Sequence, residues 1–199
     1  MGFINKTMAV SAAVVAFLSS LGPALVHAGD SDLAQAELIH NCPYPVYCAT
    51  VVGYHPDDLT PQEDRPGVAW HLTSPQQAIT DSFHSHDVDT GVALMCTRDP
   101  TSVKPMVTQM EYTWRPDLGQ TFFDLSNVEG NPFGKEGFAM TLWDPSTVMV
   151  GDCSGAYCAP GQEDCAEIYN KWNDDFQGMR ACSDQVKIRL QLCTGAWDE

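Results

Sequence analysis

Eight cysteines in a chain of 199 residues, set behind an N-terminal stretch patterned like an export leader, constrain this sequence more than any other feature. Thiols oxidise once a chain leaves the reducing cytosol, so an even count in an exported protein reads as a disulfide framework. Cys153, Cys158, Cys165, Cys182 and Cys193 crowd the last quarter, whereas Cys42, Cys48 and Cys96 are spread upstream. Zinc is the competing use of such sulfurs. Paired C-x-x-C elements are missing, and an oxidising compartment disfavours the thiolates that zinc needs. Spacing alone leaves the pairing open, since eight cysteines can join in many ways.

The leader has one cation, Lys6, then an apolar run from Met8 to Leu18 and a second from Leu21 to Val26 broken by Gly22-Pro23. Val26-His27-Ala28 suits cleavage by signal peptidase, so residues 1–28 are expected to be a signal peptide and 29–199 a single secreted, extracellular domain. The interruptions argue against a membrane anchor, and no later segment is apolar enough to span a bilayer. Losing Lys6 leaves nine basic against 26 acidic side chains, a net charge of −17 in place of −16. So acidic a chain is not expected to bind nucleic acid, which needs a basic face, nor anionic membranes. Solubility as a monomer in an acidic medium is the simplest use of that charge. The only Asn-x-Ser/Thr sequon, Asn5-Lys6-Thr7, lies in the leader.

Short alternating runs separated by Gly, Pro and Asn predict a mainly β domain, an antiparallel sandwich or barrel. Strands are expected at 36–39, 46–52, 68–73, 77–80, 92–97, 107–114, 121–125, 137–143 and 186–192. In the last of these Val186, Ile188, Leu190 and Leu192 alternate with Lys187, Arg189 and Gln191, one face dry and one wet. Residues 54–66 read as an acidic, proline-rich loop. Cys165, Ile168, Tyr169 and Trp172 fall at i, i+3, i+4 and i+7, and Asp164 with Glu167 resembles a capping box, so one helix is expected there in a disulfide-rich insertion.

No cofactor is expected. His84-Ser85-His86, followed by Asp87 and Asp89, is a candidate metal pair, because His-x-His on a strand turns both imidazoles to one face. A polar turn is the simpler reading of the same residues. No Gly-x-Ser-x-Gly elbow is present, so serine-dependent hydrolysis is not indicated. Tyr44, Tyr47, Trp114, Trp143 and Trp172 could stack on sugar rings if exposed.

Four blocks together resemble the thaumatin-like superfamily. Ile39-His40-Asn41-Cys42-Pro43-Tyr44-Pro45-Val46-Tyr47 is similar to that family's first strand. Thr108-Gln109-Met110-Glu111-Tyr112-Thr113, with Phe122-Phe123-Asp124-Leu125-Ser126-Asn127-Val128-Glu129-Gly130-Asn131, resembles its acidic strand and continuation. Gly151-Asp152-Cys153-Ser154-Gly155 resembles its Gly-Asp-Cys-Gly-Gly, placed later than usual. The run from Cys165 through Ile168-Tyr169 and Asp174-Asp175 to Cys182 and Cys193 resembles its closing segment. Half the usual cysteines and a shortened second region make the chain look like the compact fungal secreted branch, the yeast-phase-specific antigens.

The resemblance implies a β-sandwich, a small loop-rich second region and an acidic cleft that binds β-1,3-glucan, and the chain is expected to be a non-enzymatic protein that binds cell-wall β-glucan or acts at the cell surface. It points to Glu111, Asp124 and Glu129 as the cleft acids, with Asp174 and Asp175 closing it. Arg98 is the nearest candidate for the family's cleft arginine. It also implies pairing of Cys42 with Cys193, Cys165 with Cys182, Cys153 with Cys158 and Cys48 with Cys96. Two other roles are compatible with the same residues: an antigen or effector that recognises a protein partner, and a weak β-1,3-glucanase using two cleft carboxyls as acid and nucleophile or base.

Overall fold

Period-two burial sorts the side chains into two sheets around one core. A computed structural model describes residues 34–53, 67–145, 152–174 and 178–195. The leader, the 54–66 loop and Asp175 lie outside the described residues. The strands are β1 (Gln35–His40), β2 (Val46–Val52), β3 (His71–Thr73), β4 (Ile79–Ser82), β5 (Gly91–Thr97), β6 (Thr108–Arg115), β7 (Gln120–Ser126), β8 (Phe138–Trp143), β9 (Ala156–Cys158), β10 (Arg180–Ser183) and β11 (Lys187–Leu192). One sheet runs β4-β1-β11-β8-β9 and the other β10-β7-β6-β5-β2-β3. Met110, Tyr112, Phe123, Leu125, Phe138, Met140, Ile188 and Leu190 fill the space between them. Each such side chain taken from water contributes roughly 1.5–3 kcal/mol.

All strand pairs are antiparallel except β1 with β11. That parallel pairing sets His40 beside Leu192, so both strands end at the same point. Cys42 and Cys193 follow immediately and are joined, closing a loop of 151 positions. Cys48 and Cys96 face each other across β2 and β5 and are also joined. The core begins at the first described residue: Ala34 is buried and its N–H donates to Gln185 O at 3.2 Å.

The other two bridges differ from the expected ones. Cys153 pairs with Cys182 and Cys158 with Cys165. The segment before β9 lies against β10, where Ala181 N–H donates to Asp152 O at 3.1 Å, and this sets Cys153 beside Cys182. Cys165 is turned back onto the end of β9 by the tight turn at Pro160-Gly161, within reach of Cys158.

The expected helix over 165–172 is not formed. Tyr169 instead makes a strand-like bridge to Ser126, donating its N–H to Leu125 O at 2.9 Å and accepting from Asn127 N at 2.8 Å. Glu167 does not cap anything within the segment, since its carboxylate accepts from Tyr157 N at 2.9 Å. Cys165 and Ile168 are buried because a disulfide and β7 hold the turn down, while Trp172 is 84% exposed. Helical spacing therefore arose here without a helix. Short 3-10 turns at Phe83–Ser85 and Pro116–Leu118 are the helical turns among the described residues.

Candidate functional site: a carboxyl pair in a sheet groove

The alternation that buries Met110 and Tyr112 on β6 turns Gln109, Glu111 and Thr113 to the outer face of the six-stranded sheet. On β7 the same rule turns Phe122 and Asp124 outward. Register then does the positioning. Val51 lies opposite Ala93, Ala93 opposite Glu111, and Glu111 opposite Asp124, so one row crosses four strands. Directly opposed residues of an antiparallel pair share a face at close range. Gly91 and Ala93 supply a floor of small side chains, and Met95 and Met179 supply apolar walls, in an open groove of about 430 Å³.

Two carboxyls placed side by side in a partly dry groove cannot both ionise freely. Burial, then the neighbouring Glu111 charge, push Asp124 up to about 8 against an opposing pull from the Arg180 guanidinium. Burial also raises Glu111, opposed by the hydrogen bond that Gln109 Nε2 donates to its Oε2 at 2.9 Å. Asp124 Oδ1 is buried and has no hydrogen-bond partner among the described residues. Below neutral pH the groove therefore offers one carboxyl that can both donate and accept, beside another that gains its charge with difficulty.

Of the residues singled out from the sequence, Glu111 and Asp124 come together. Glu129 does not line this groove and pairs instead with Lys104 at 3.4 Å. Asp174 closes its own turn, accepting from Asn170 N at 3.0 Å and Lys171 N at 2.9 Å. Arg98 lies over the Tyr44 ring, 3.9 Å from its centroid, away from the carboxyl pair. The cation whose charge reaches Asp124 is Arg180, buried on β10. Its guanidinium donates to Gly178 O at 2.6 Å, Glu167 O at 2.9 Å and Ser154 Oγ at 3.4 Å, which fixes its position. Sequence reasoning missed it; its place two residues before Cys182 is the one signal that could have drawn attention to it.

His84 lies in a 3-10 turn and His86 caps that turn in extended backbone, so the pair is not on a strand. His84 packs edge-on against Trp114 with centroids 4.6 Å apart, and His86 Nε2 sits 3.0 Å from Asp81 Oδ1. Asp144, Cys153 and Cys182 converge, but both sulfurs belong to a disulfide and are closed to a metal ion. His40 is a buried structural residue: Nδ1 accepts from Cys42 N at 3.3 Å, which leaves Nε2 to donate to Thr73 O at 3.0 Å. Of the aromatic candidates, Trp143 and Trp172 are exposed, whereas Tyr44 and Trp114 pack against the core.

The fold and sequence have counterparts. An antigenic thaumatin-like protein of Arthroderma benhamiae is 25% identical over 178 residues, covering 89% of this chain and 79% of that protein. A secreted thaumatin-like protein, calA, of Emericella nidulans is 30% identical over 123 residues, 59% of this chain and 64% of that one. The crystal structure of the protein elicitor MoHrip2 from Magnaporthe oryzae matches in fold, with a TM-score of 0.54 at 19% identity over 80% of this chain and 98% of that one. A family model described as Blastomyces yeast-phase-specific protein matches residues 23–194, and on that span the chain belongs to this family, with a thaumatin-like architecture.

Proposed function

We propose that this is a secreted, non-enzymatic wall-associated protein that holds a neutral polysaccharide, β-1,3-glucan, in the groove of the six-stranded sheet. The observation that carries the reading is the Glu111–Asp124 pair, opposed across β6 and β7 with a buried, unpartnered Asp124 oxygen. A sugar hydroxyl both donates and accepts, so it suits a carboxyl kept protonated beside one that accepts. Apolar side chains such as Met95 and Met179 offer contact to the C–H faces of a sugar ring. Export is supported by the leader-like sequence, the four disulfides and the secreted relative.

Retention on insoluble β-1,3-glucan at pH 5 tests this. Wild-type protein is expected to be held, with Glu111→Ala and Asp124→Ala each weakening retention about tenfold, the equivalent of ~1.4 kcal/mol. Unchanged retention by both variants refutes the groove as the binding site. The separated protonation of the two carboxyls also favours a second reading, slow glycoside hydrolysis with Asp124 as acid. Reducing-sugar release from soluble β-glucan that vanishes in Asp124→Ala would establish it.

A further inference from the structure

A second cleft carries chemistry opposite to the groove. Only ten basic side chains occur in the whole sequence, against 26 acidic ones, yet Arg98, Lys104 and Lys135 line one open cavity of about 400 Å³. Three of ten cations in one cleft of so acidic a protein is a concentration that solubility does not call for.

The cleft is built. Arg98 follows β5 directly, two residues past the Cys48–Cys96 bridge, and its guanidinium is stacked on Tyr44. Tyr44 lies two residues past Cys42, and its hydroxyl is 3.5 Å from Cys193 Sγ. Stacking on one ring face leaves the edge of the guanidinium, where its N–H groups point, free to fork onto an oxyanion. Neither Arg98 nor Lys135 makes an ion pair with any described residue; Lys104 is shared with Glu129 at 3.4 Å. The one acid in the lining, Asp99, is already engaged, its Oδ1 accepting from Thr101 N at 3.0 Å and Thr101 Oγ1 at 2.6 Å.

Asn131 adds a neutral acceptor. Its Oδ1 is buried without a partner among the described residues, while its Nδ2 donates to Glu163 O at 3.4 Å. A Cβ on Gly134 would collide with this amide, so glycine there keeps the room that the side chain occupies. Asn131 and Lys135 also line an adjoining cavity of about 340 Å³, which adds length for the neutral part of a ligand and carries one acid of its own, Glu163.

The geometry points to a second saccharide site, one that takes an acidic sugar, a uronate or a sugar phosphate, with its anion on Arg98 and Lys135 and its hydroxyls at Asn131. The polar Ser102 and Asn131 side chains of the lining, beside Arg98 and Lys135, suit a ligand that carries hydroxyls as well as negative charge. This separates an acidic sugar from a simple acidic peptide. The site is independent of the glucan groove, which contains none of these residues.

Titration calorimetry on the oxidised, folded protein with trigalacturonate, glucose 6-phosphate, laminaritriose and triglutamate tests it. Saturable binding of trigalacturonate or glucose 6-phosphate is expected, whichever binds better naming the anion. Raising salt from about 20 to about 200 mM should weaken it several-fold, as screening requires. Arg98→Gln and Lys135→Gln should each weaken it about fivefold or more, while retention on insoluble β-1,3-glucan stays at the wild-type level. Lys135 is exposed and makes no ion pair with a described residue, so its variant keeps the fold and the result stays interpretable. Binding of neither acidic sugar, binding unchanged in both variants, or triglutamate binding as well as the sugars overturns the proposal. Loss of β-1,3-glucan retention alone, through Glu111 or Asp124, would leave it standing.

Discussion

Replacing Asp124 by asparagine removes an ionisation that the fold resists. The carboxyl titrates at about 8 in the folded protein against an ordinary 3.8. The folded state therefore holds a proton that the unfolded chain has released, and stability falls as pH rises across this window. The contribution is fully present below about pH 4 and lost by the time pH has passed about 8. The interval spans about four pH units at ~1.4 kcal/mol each, so the ceiling is roughly 5–6 kcal/mol. Water in the open groove and the effective dielectric it brings reduce this to about 2–3 kcal/mol. Urea unfolding followed by tryptophan fluorescence at pH 4, 6 and 8 measures it. Asp124→Asn should match wild type at pH 4 and exceed it by about 2–3 kcal/mol at pH 8, with an unchanged m-value. A variant whose stability declines with pH as steeply as wild type, or that is weaker at pH 8, refutes the assignment of the buried proton to Asp124.

Two further outcomes follow from the sulfur bridges and the outer face of the five-stranded sheet. Removing Cys42–Cys193 as a double alanine variant should cost about 5 kcal/mol in the chain-entropy picture, against about 2 kcal/mol for Cys158–Cys165, because the closed loops differ so much in length. Urea midpoints rank the two, and peptide mapping that links Cys182 to Cys165 instead of Cys153 contradicts the topology at β10. Glu37 behaves oppositely to Asp124: burial resists its ionisation, but hydrogen bonds and charge from Arg189 and Lys187, at 2.8 and 3.2 Å, hold its carboxyl below the usual carboxylate range. Its stabilisation is present above about pH 4.5 and lost as pH falls through its folded value, so Glu37→Gln should cost ~1 kcal/mol at pH 7 and nothing near pH 2. Equal losses at both pH values would refute it.

Strands with several alternating residues were legible in the sequence, because the same residues that keep period two also fill the core. β11 and β6 are the clearest cases, with Ile188, Leu190 and Leu192 on one and Met110 and Tyr112 on the other buried in strict alternation. β9 and β10 were not legible. Ala156-Tyr157-Cys158 alternates in burial but is too short and too uniformly apolar for a period to show in its sequence, and Arg180–Ser183 is buried at every position. The false helix has the same origin, since burial at Cys165 and Ile168 is imposed by distant partners and not by the segment's own geometry. Glu111 and Asp124 could be nominated from sequence, but their opposition depends on the register that the turn through Pro116–Leu118 and Gly119 sets between β6 and β7, which the strand patterns alone do not give. Glu129, three residues beyond Ser126 in the same matching block, has already left the sheet and its face.

The unexpected disulfide and the unexpected arginine are one feature. Cys153–Cys182 fastens the segment before β9 to β10, and β10 begins at Arg180, whose Nε–H reaches Ser154, the residue after Cys153. The bridge thus holds both the cation and one of its acceptors. β10 in turn pairs Arg180 with Phe123, the residue before Asp124, so the charge is carried to the edge of the groove by backbone pairing and not by a flexible side chain. A bridge from Cys182 to Cys165 would instead tie β10 to the turn at the end of β9 and leave residues 152–154 without a covalent anchor to it. The sulfur pairing therefore does more than stabilise the fold: it holds in place the cation whose charge reaches Asp124 and so lowers, against burial and the Glu111 charge, the pH at which that carboxyl gives up its proton.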